Sequence, residues 1–86
     1  MTTLTREIHR ALKGGGDPNA LFSLATEFLE ATAGPEGDPI LRASGRTLAF
    51  AACDFAVMQD DESLQYLRLC ARFFTMLSRA LPKTSS

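Results

Sequence analysis

Two Asp-Pro pairs constrain the fold of this chain more than any other feature of its sequence. They are Asp17-Pro18 and Asp38-Pro39, and each predicts the start of a helix. The aspartate side chain can accept hydrogen bonds from the free N–H groups of the first helical turn. The proline that follows supplies a helical φ at a position where no donor is needed.

Glycine and proline also mark where the helices end. Residues 14–16 are three glycines, 34–35 are Gly-Pro and residue 82 is proline, and each of these interrupts a helix. An acidic run at 60–62 supplies a further helix start. Between these marks, apolar residues recur at spacings of three and four, which favours helices over strands. The sequence therefore predicts an all-α fold, a small bundle with helices at residues 3–13, 18–33, 39–59 and 61–81.

The length of 86 residues, with 45% hydrophobic and 22% charged, suits a single domain over residues 1–86, with frayed ends at 1–2 and 82–86. A chain of this size buries only about 60% of its unfolded surface, so a disulfide, a metal or oligomerisation would help it fold stably. Cys53 and Cys70 lie in apolar helical patterns and no secretory segment precedes them, so we expect reduced core thiols in a cytoplasmic protein. No apolar run reaches the roughly 18 residues of a transmembrane helix.

The first two helices have modest apolar faces. The first helix carries a narrow stripe, and we interpret it as a lid hinged on the glycines at 14–16. The second is amphipathic and needs one packing partner. Six side chains are expected to form the core of the fold: Leu24, Phe28, Leu48, Phe55, Leu67 and Phe74.

The last two helices carry more apolar surface than one copy of the chain can use. Phe50 and Val57 lie nearly opposite the main apolar face of the third helix, and apolar residues sweep roughly 220° of the fourth. A helix in a bundle needs a stripe of about 100–140°. The main apolar face of the third helix comprises Ile40, Leu41, Leu48, Ala51, Ala52, Phe55 and Met58.

An exposed apolar patch on a soluble protein usually marks an interface, so we expect a homodimer or a groove for a helix of another protein. The predicted interface residues are Phe50, Val57, Tyr66, Leu69, Phe73 and Met76. Arg68, Arg72 and Arg79 form a basic row on the fourth helix that either solvates the helix or contacts an acidic partner.

No catalytic, cofactor or metal site is predicted. His9 is the only histidine and has no partner that would make it a catalytic base. With Cys53 and Cys70 it would supply three ligands without the closely spaced pairs typical of zinc sites. The acidic run at 60–62 lacks the pattern of a calcium loop, and the glycines at 14–16 lack the Lys and Ser/Thr of a phosphate loop.

These observations favour a non-enzymatic protein–protein interaction module, such as an adaptor, a chaperone-like subunit or a small inhibitor of a larger complex. Small stand-alone proteins of this kind are common in bacteria and phages. Two alternatives remain open: a small DNA-binding regulator, and a binder of an apolar small molecule between the third and fourth helices. A net charge of -1 disfavours nucleic acid as a partner.

Overall fold

The structure, a computed structural model, describes residues 2–80 and contains four helices in that range. They are α1 (Thr2–Leu12), α2 (Pro18–Ala31), α3 (Pro39–Met58) and α4 (Asp61–Ala80). The predicted all-α fold is confirmed, and no strand occurs within residues 2–80. The fraying expected at residue 1 and at 82–86 lies outside the described residues, whereas Thr2 already belongs to α1.

The two Asp-Pro pairs begin α2 and α3 as predicted. The Asp17 carboxylate accepts a hydrogen bond of 3.0 Å from the backbone N–H of Asn19. The Asp38 carboxylate accepts from the N–H groups of Ile40 and Leu41, at 2.8 and 3.2 Å. These bonds satisfy donors that the first turn of a helix cannot satisfy internally.

A connection of two residues joins α3 to α4. Gln59 takes a left-handed conformation with φ 50°, and its N–H donates to the Phe55 carbonyl. Asp60 then caps α4, because its carboxylate accepts from the N–H of Ser63 at 2.9 Å and from the Ser63 hydroxyl at 2.6 Å. So short a connection makes α3 and α4 an antiparallel pair.

Gly14 and Gly15 end α1 with a helix cap at the position where the sequence analysis expects a hinge. The N–H of Gly15 donates to the Arg10 carbonyl at 2.8 Å, and the N–H of Gly14 donates to the Ala11 carbonyl at 3.0 Å. This pair of bonds is the Schellman pattern that ends a helix, with Gly14 at φ +87°.

The core lies where α1 packs against α2 and α4, and α3 packs against α2 and α4. Leu4 and Ile8 of α1 are 3% and 1% exposed, so the apolar stripe of the helix interpreted as a lid or arm is part of the core. Alanines make up much of the remaining core, which lets neighbouring helices approach α3 closely. The buried hydrophobic residues are Leu4, Ile8, Ala11, Leu21, Ala25, Leu48, Ala49, Ala51, Ala52, Ala56, Leu67 and Ala71.

The predicted core is correct at its centre and too generous at its edge. Leu48 and Leu67 are almost fully buried, as expected. The other four predicted core residues are only partly buried and pack against the outside of the buried core. They are Leu24, Phe28, Phe55 and Phe74. The small side chains of α3 bring the helices together, which leaves these larger side chains at the periphery of the core.

Candidate interaction surface

The six side chains that the sequence predicted to form an interface are all at least half exposed. We call these six residues the α3–α4 surface. Their exposed fractions are 58% for Phe50, 67% for Val57, 50% for Tyr66, 63% for Leu69, 57% for Phe73 and 67% for Met76.

On α3, the arrangement of neighbouring helices explains this exposure. Phe50 and Val57 are seven residues apart, so they lie on one stripe of the helix. Since α2 and α4 flank α3, the contacts of α3 with its neighbours leave this stripe open to solvent. The prediction of a second apolar side on α3, away from the core, is therefore correct in its geometry.

Asp54 links the two halves of the α3–α4 surface, because it lies between Phe50 and Val57 on α3 and faces Tyr66 of α4. Asp54 and Tyr66 line the same open pocket. The pKa of Tyr66 is raised, chiefly by the neighbouring Cys70 charge and the Tyr66–Cys70 hydrogen bond, with a smaller contribution from the negative charge of Asp54. The outer sides of α3 and α4 are therefore adjacent where Asp54 and Tyr66 lie, at a pocket that Asp60 and Glu62 also line.

Sequence reasoning missed three other exposed apolar side chains. Ile40 and Met58, assigned to the main apolar face of α3, are 55% and 57% exposed, so neighbouring helices do not cover that face at these two positions. They lie in the first and last turns of α3, where the neighbouring helices no longer cover that face. Phe22 on α2 is 42% exposed and was not assigned to any face.

The predicted basic row on α4 does not act as one unit. Arg68 is partly buried and donates a hydrogen bond of 3.3 Å to the carbonyl of Leu12, at the end of α1. Arg72 and Arg79 are exposed. The row therefore contains one arginine that joins two helices and two that face solvent.

The side chains with catalytic or metal-binding chemistry considered in the sequence are Cys53, Cys70 and His9. Cys53 and Cys70 are free thiols that are partly buried, less than the core position expected, and burial raises the pKa of each. His9 is exposed on α1, as predicted, and lines an open pocket with Leu12 and Arg72. Within residues 2–80, no group of three or more His, Cys, Asp or Glu side chains is placed to hold a metal ion.

Two further findings bear on the interpretation of this surface. None of the helices between residues 2 and 80 combines the length and the hydropathy needed to cross a membrane. No protein-family model, curated protein or solved structure matches the chain. The α3–α4 surface is therefore the feature from which we infer the function.

Proposed function

We propose that this chain is a non-enzymatic protein-binding module that associates through the α3–α4 surface, with a second copy of the chain as its partner. The observation that carries the proposal is the exposure of six large apolar side chains, by 50% to 67%, on two adjacent helices. Removing apolar surface from water is favourable by roughly 25 cal/mol per Å². A contiguous exposed patch of this kind is therefore typical of an association surface.

The residue types of the surface fit an interface. Phe50, Tyr66 and Phe73 are aromatic, and Met76 has a flexible, polarisable side chain. Aromatic residues and methionine are enriched at protein interfaces. Large aromatic side chains also supply much of the binding energy at measured interfaces. Asp54 lies among them and is exposed in the single copy, so a partner has to leave its carboxylate hydrated or supply a hydrogen-bond donor to it.

A second copy is favoured as the partner because the core of one copy is small. Among residues 2–80, the largest side chains that are less than 2% exposed are Ile8, Leu21, Leu48 and Leu67. Small domains commonly gain stability by oligomerisation. In a two-fold dimer the same patch meets itself, so an apolar surface is matched automatically by an apolar surface. A net charge of -1 leaves little repulsion between copies.

The alternative of DNA binding has less support than protein binding. A DNA-binding face needs several cations free to neutralise phosphates. The guanidinium of Arg68 is engaged by the carbonyl of Leu12, so α4 offers mainly Arg72 and Arg79 for that purpose. The α3–α4 surface, by contrast, is mainly apolar.

Light scattering combined with circular dichroism tests the proposal. The parent protein should have about twice the chain mass of 9.3 kDa. Phe50→Ser and Phe73→Ser should keep their helical signal and weaken self-association about 30-fold, as expected for residues at the centre of an interface. Arg6→Ser replaces another long exposed side chain, on α1, and should leave the mass unchanged.

Two outcomes would contradict the proposal. One is a parent protein that stays monomeric at high micromolar concentration. The other is loss of the helical signal in Phe50→Ser and Phe73→Ser under conditions in which the chain is monomeric. The second outcome would place both rings in the core of the monomer.

A further inference from the structure

The exposed apolar residues of α4 have the spacing of a surface that pairs with another helix. Successive members are three, four and three residues apart, and this repeat places them on one stripe of the helix. They are Tyr66, Leu69, Phe73 and Met76, which are 50% to 67% exposed. The exposed residues Glu62 and Ala80 continue the repeat at its two ends. We call this stripe, from residue 62 to residue 80, the α4 seam.

The other sides of α4 are already used within one copy of the chain. Leu67 and Ala71 are buried in the core, and Cys70 packs against it. Arg68 bonds the Leu12 carbonyl of α1. Since α3 and α1 contact α4 on these sides, the α4 seam is the side that a further helix can reach.

Charge is distributed unevenly along α4. Its first turn contains Asp61 and Glu62, and its last turn contains Arg79. All three side chains are exposed. The ion pair found among residues 2–80 joins Arg10 to Glu7, so neither end of α4 is paired with an opposite charge in that part of the chain. The α4 seam therefore has an acidic end and a basic end.

Two copies of α4 can pair along this seam in two orientations. In a parallel pair, the acidic ends face each other and so do the basic ends, which brings like charges together at both ends. In an antiparallel pair, the acidic end of each copy faces the basic end of the other. Opposite charges therefore meet at both ends only in the antiparallel orientation.

The apolar residues set the register of such an antiparallel pair. The midpoint between Tyr66 and Met76 is level with residue 71, so a two-fold axis at that level places Tyr66 opposite the partner's Met76. The same axis places Glu62 beside the partner's Arg79. Arg72 lies next to the axis and meets its own counterpart in either orientation, so it favours neither.

We infer that the second copy of the chain packs on the α4 seam in the antiparallel orientation, with Glu62 of each copy beside the partner's Arg79. The apolar residues of the seam supply most of the affinity, and the charges at its two ends select the orientation. This inference rests on the proposed function, and it adds the orientation of the two copies and the residues that determine it.

Charge reversal tests the pairing of Glu62 with Arg79. Glu62→Arg and Arg79→Glu each replace opposite charges by like charges at both ends of the dimer, so each should weaken dimerisation about tenfold in light scattering. The double variant E62R/R79E restores opposite charges and should dimerise within about threefold of the parent. Glu27→Arg, at an exposed position of α2, changes the net charge by the same amount and should stay within about twofold.

The same charges also stabilise α4 itself, because carboxylates favour the N terminus of a helix and cations its C terminus. A role confined to the helix predicts that the double variant is the least helical of the set and dimerises no better than the single variants. Pairing between copies predicts that dimerisation recovers. Circular dichroism at a concentration at which each variant is monomeric measures the effect on the helix separately.

Disulfide formation measures the orientation directly and leaves the charges in place. Tyr66→Cys and Met76→Cys are mixed in equal amounts and oxidised, and mass spectrometry after digestion identifies which positions are joined. An antiparallel dimer should join position 66 to position 76. Two copies of position 66 would then be about 15 Å apart along the helices, too far for a disulfide. A parallel dimer would instead join 66 to 66 and 76 to 76.

Three results would overturn the inference and leave the proposed dimer standing. The first is a parallel pattern of disulfides. The second is dimerisation that neither Glu62→Arg nor Arg79→Glu weakens. The third is a double variant that dimerises no better than the single ones. A parent protein that stays monomeric at high micromolar concentration would overturn the proposed function and this inference together.

Discussion

The guanidinium group of Arg46, on α3, donates a hydrogen bond of 2.7 Å to the backbone carbonyl of Leu29 in the last turns of α2. The same nitrogen donates to Oγ1 of Thr32 at 3.0 Å. The last turn of α2 contains no basic residue of its own, so Arg46 supplies from another helix the cation that a helix C terminus favours. The guanidinium also lies 5.9 Å from the centre of the Phe50 ring, which connects this cap to the α3–α4 surface.

Arg46→Ala should lower the free energy of unfolding by about 1.5–3 kcal/mol, because it removes the charged donor that bonds the Leu29 carbonyl and the Thr32 hydroxyl. Urea denaturation followed by circular dichroism measures the change. Arg72→Ala, at an exposed position of α4, is the control and should change stability by less than about 0.5 kcal/mol. Equal effects of the two substitutions would show that the Arg46 bonds do not stabilise the fold.

Ile8→Ala should cost about 2–5 kcal/mol, since Ile8 is 1% exposed and belongs to the core. The matched control is Ile40→Ala, which makes the same change at a side chain that is 55% exposed and should cost much less. Denaturant unfolding should give one transition for each variant. Ile8→Ala with stability close to that of the parent would show that the packing of Ile8 does not stabilise the fold.

The Asp60 cap should make stability depend on pH. Hydrogen bonds from Ser63 lower the pKa of Asp60 below its ordinary value. Because the folded pKa is the lower one, the stabilisation is present above the unfolded pKa of about 3.9 and is lost as the pH falls through the folded pKa. An NMR titration should therefore find a low midpoint for Asp60 in the parent and a higher one in Ser63→Ala. An identical midpoint in the two proteins would argue against the Ser63 bonds.

Cys53 and Cys70 should react slowly with thiol reagents in the native protein and quickly in denaturant. Burial raises the pKa of both, so less of the reactive thiolate is present near neutral pH. The neighbouring Tyr66 hydroxyl partly offsets this increase in the pKa of Cys70. Tyr66→Phe should therefore slow the labelling of Cys70 further and leave Cys53 unchanged as an internal control. Rapid labelling of either thiol in the native parent would contradict the prediction.

Features set by neighbours in the sequence could be predicted well. Asp17 and Asp38 cap their helices through bonds to N–H groups two or three residues later, so a short window of sequence contains the whole interaction. The exposure of Phe50 and Val57 could be predicted for a similar reason. Their positions around α3 follow from the helical repeat alone.

Features that join distant parts of the chain could not be predicted in this way. Arg68 lies 56 residues from Leu12, and Arg46 lies 17 residues from Leu29, so neither bond leaves a mark in a local pattern. The burial of Ile8 depends on the groove that α2 and α4 provide. A narrow apolar stripe on a short helix does not reveal whether such a groove exists.

The two-residue connection between α3 and α4 has a consequence for recognition. The connection consists of Gln59 and Asp60 alone, and Leu48 of α3 and Leu67 of α4 are buried in one core, so the connection and the core together hold the two helices side by side. Phe50 on one helix and Phe73 on the other are thus held in a set relation before any partner arrives. Binding at a preorganised surface loses less conformational entropy than binding at one that must first be ordered. A small contact area can then still support specific association.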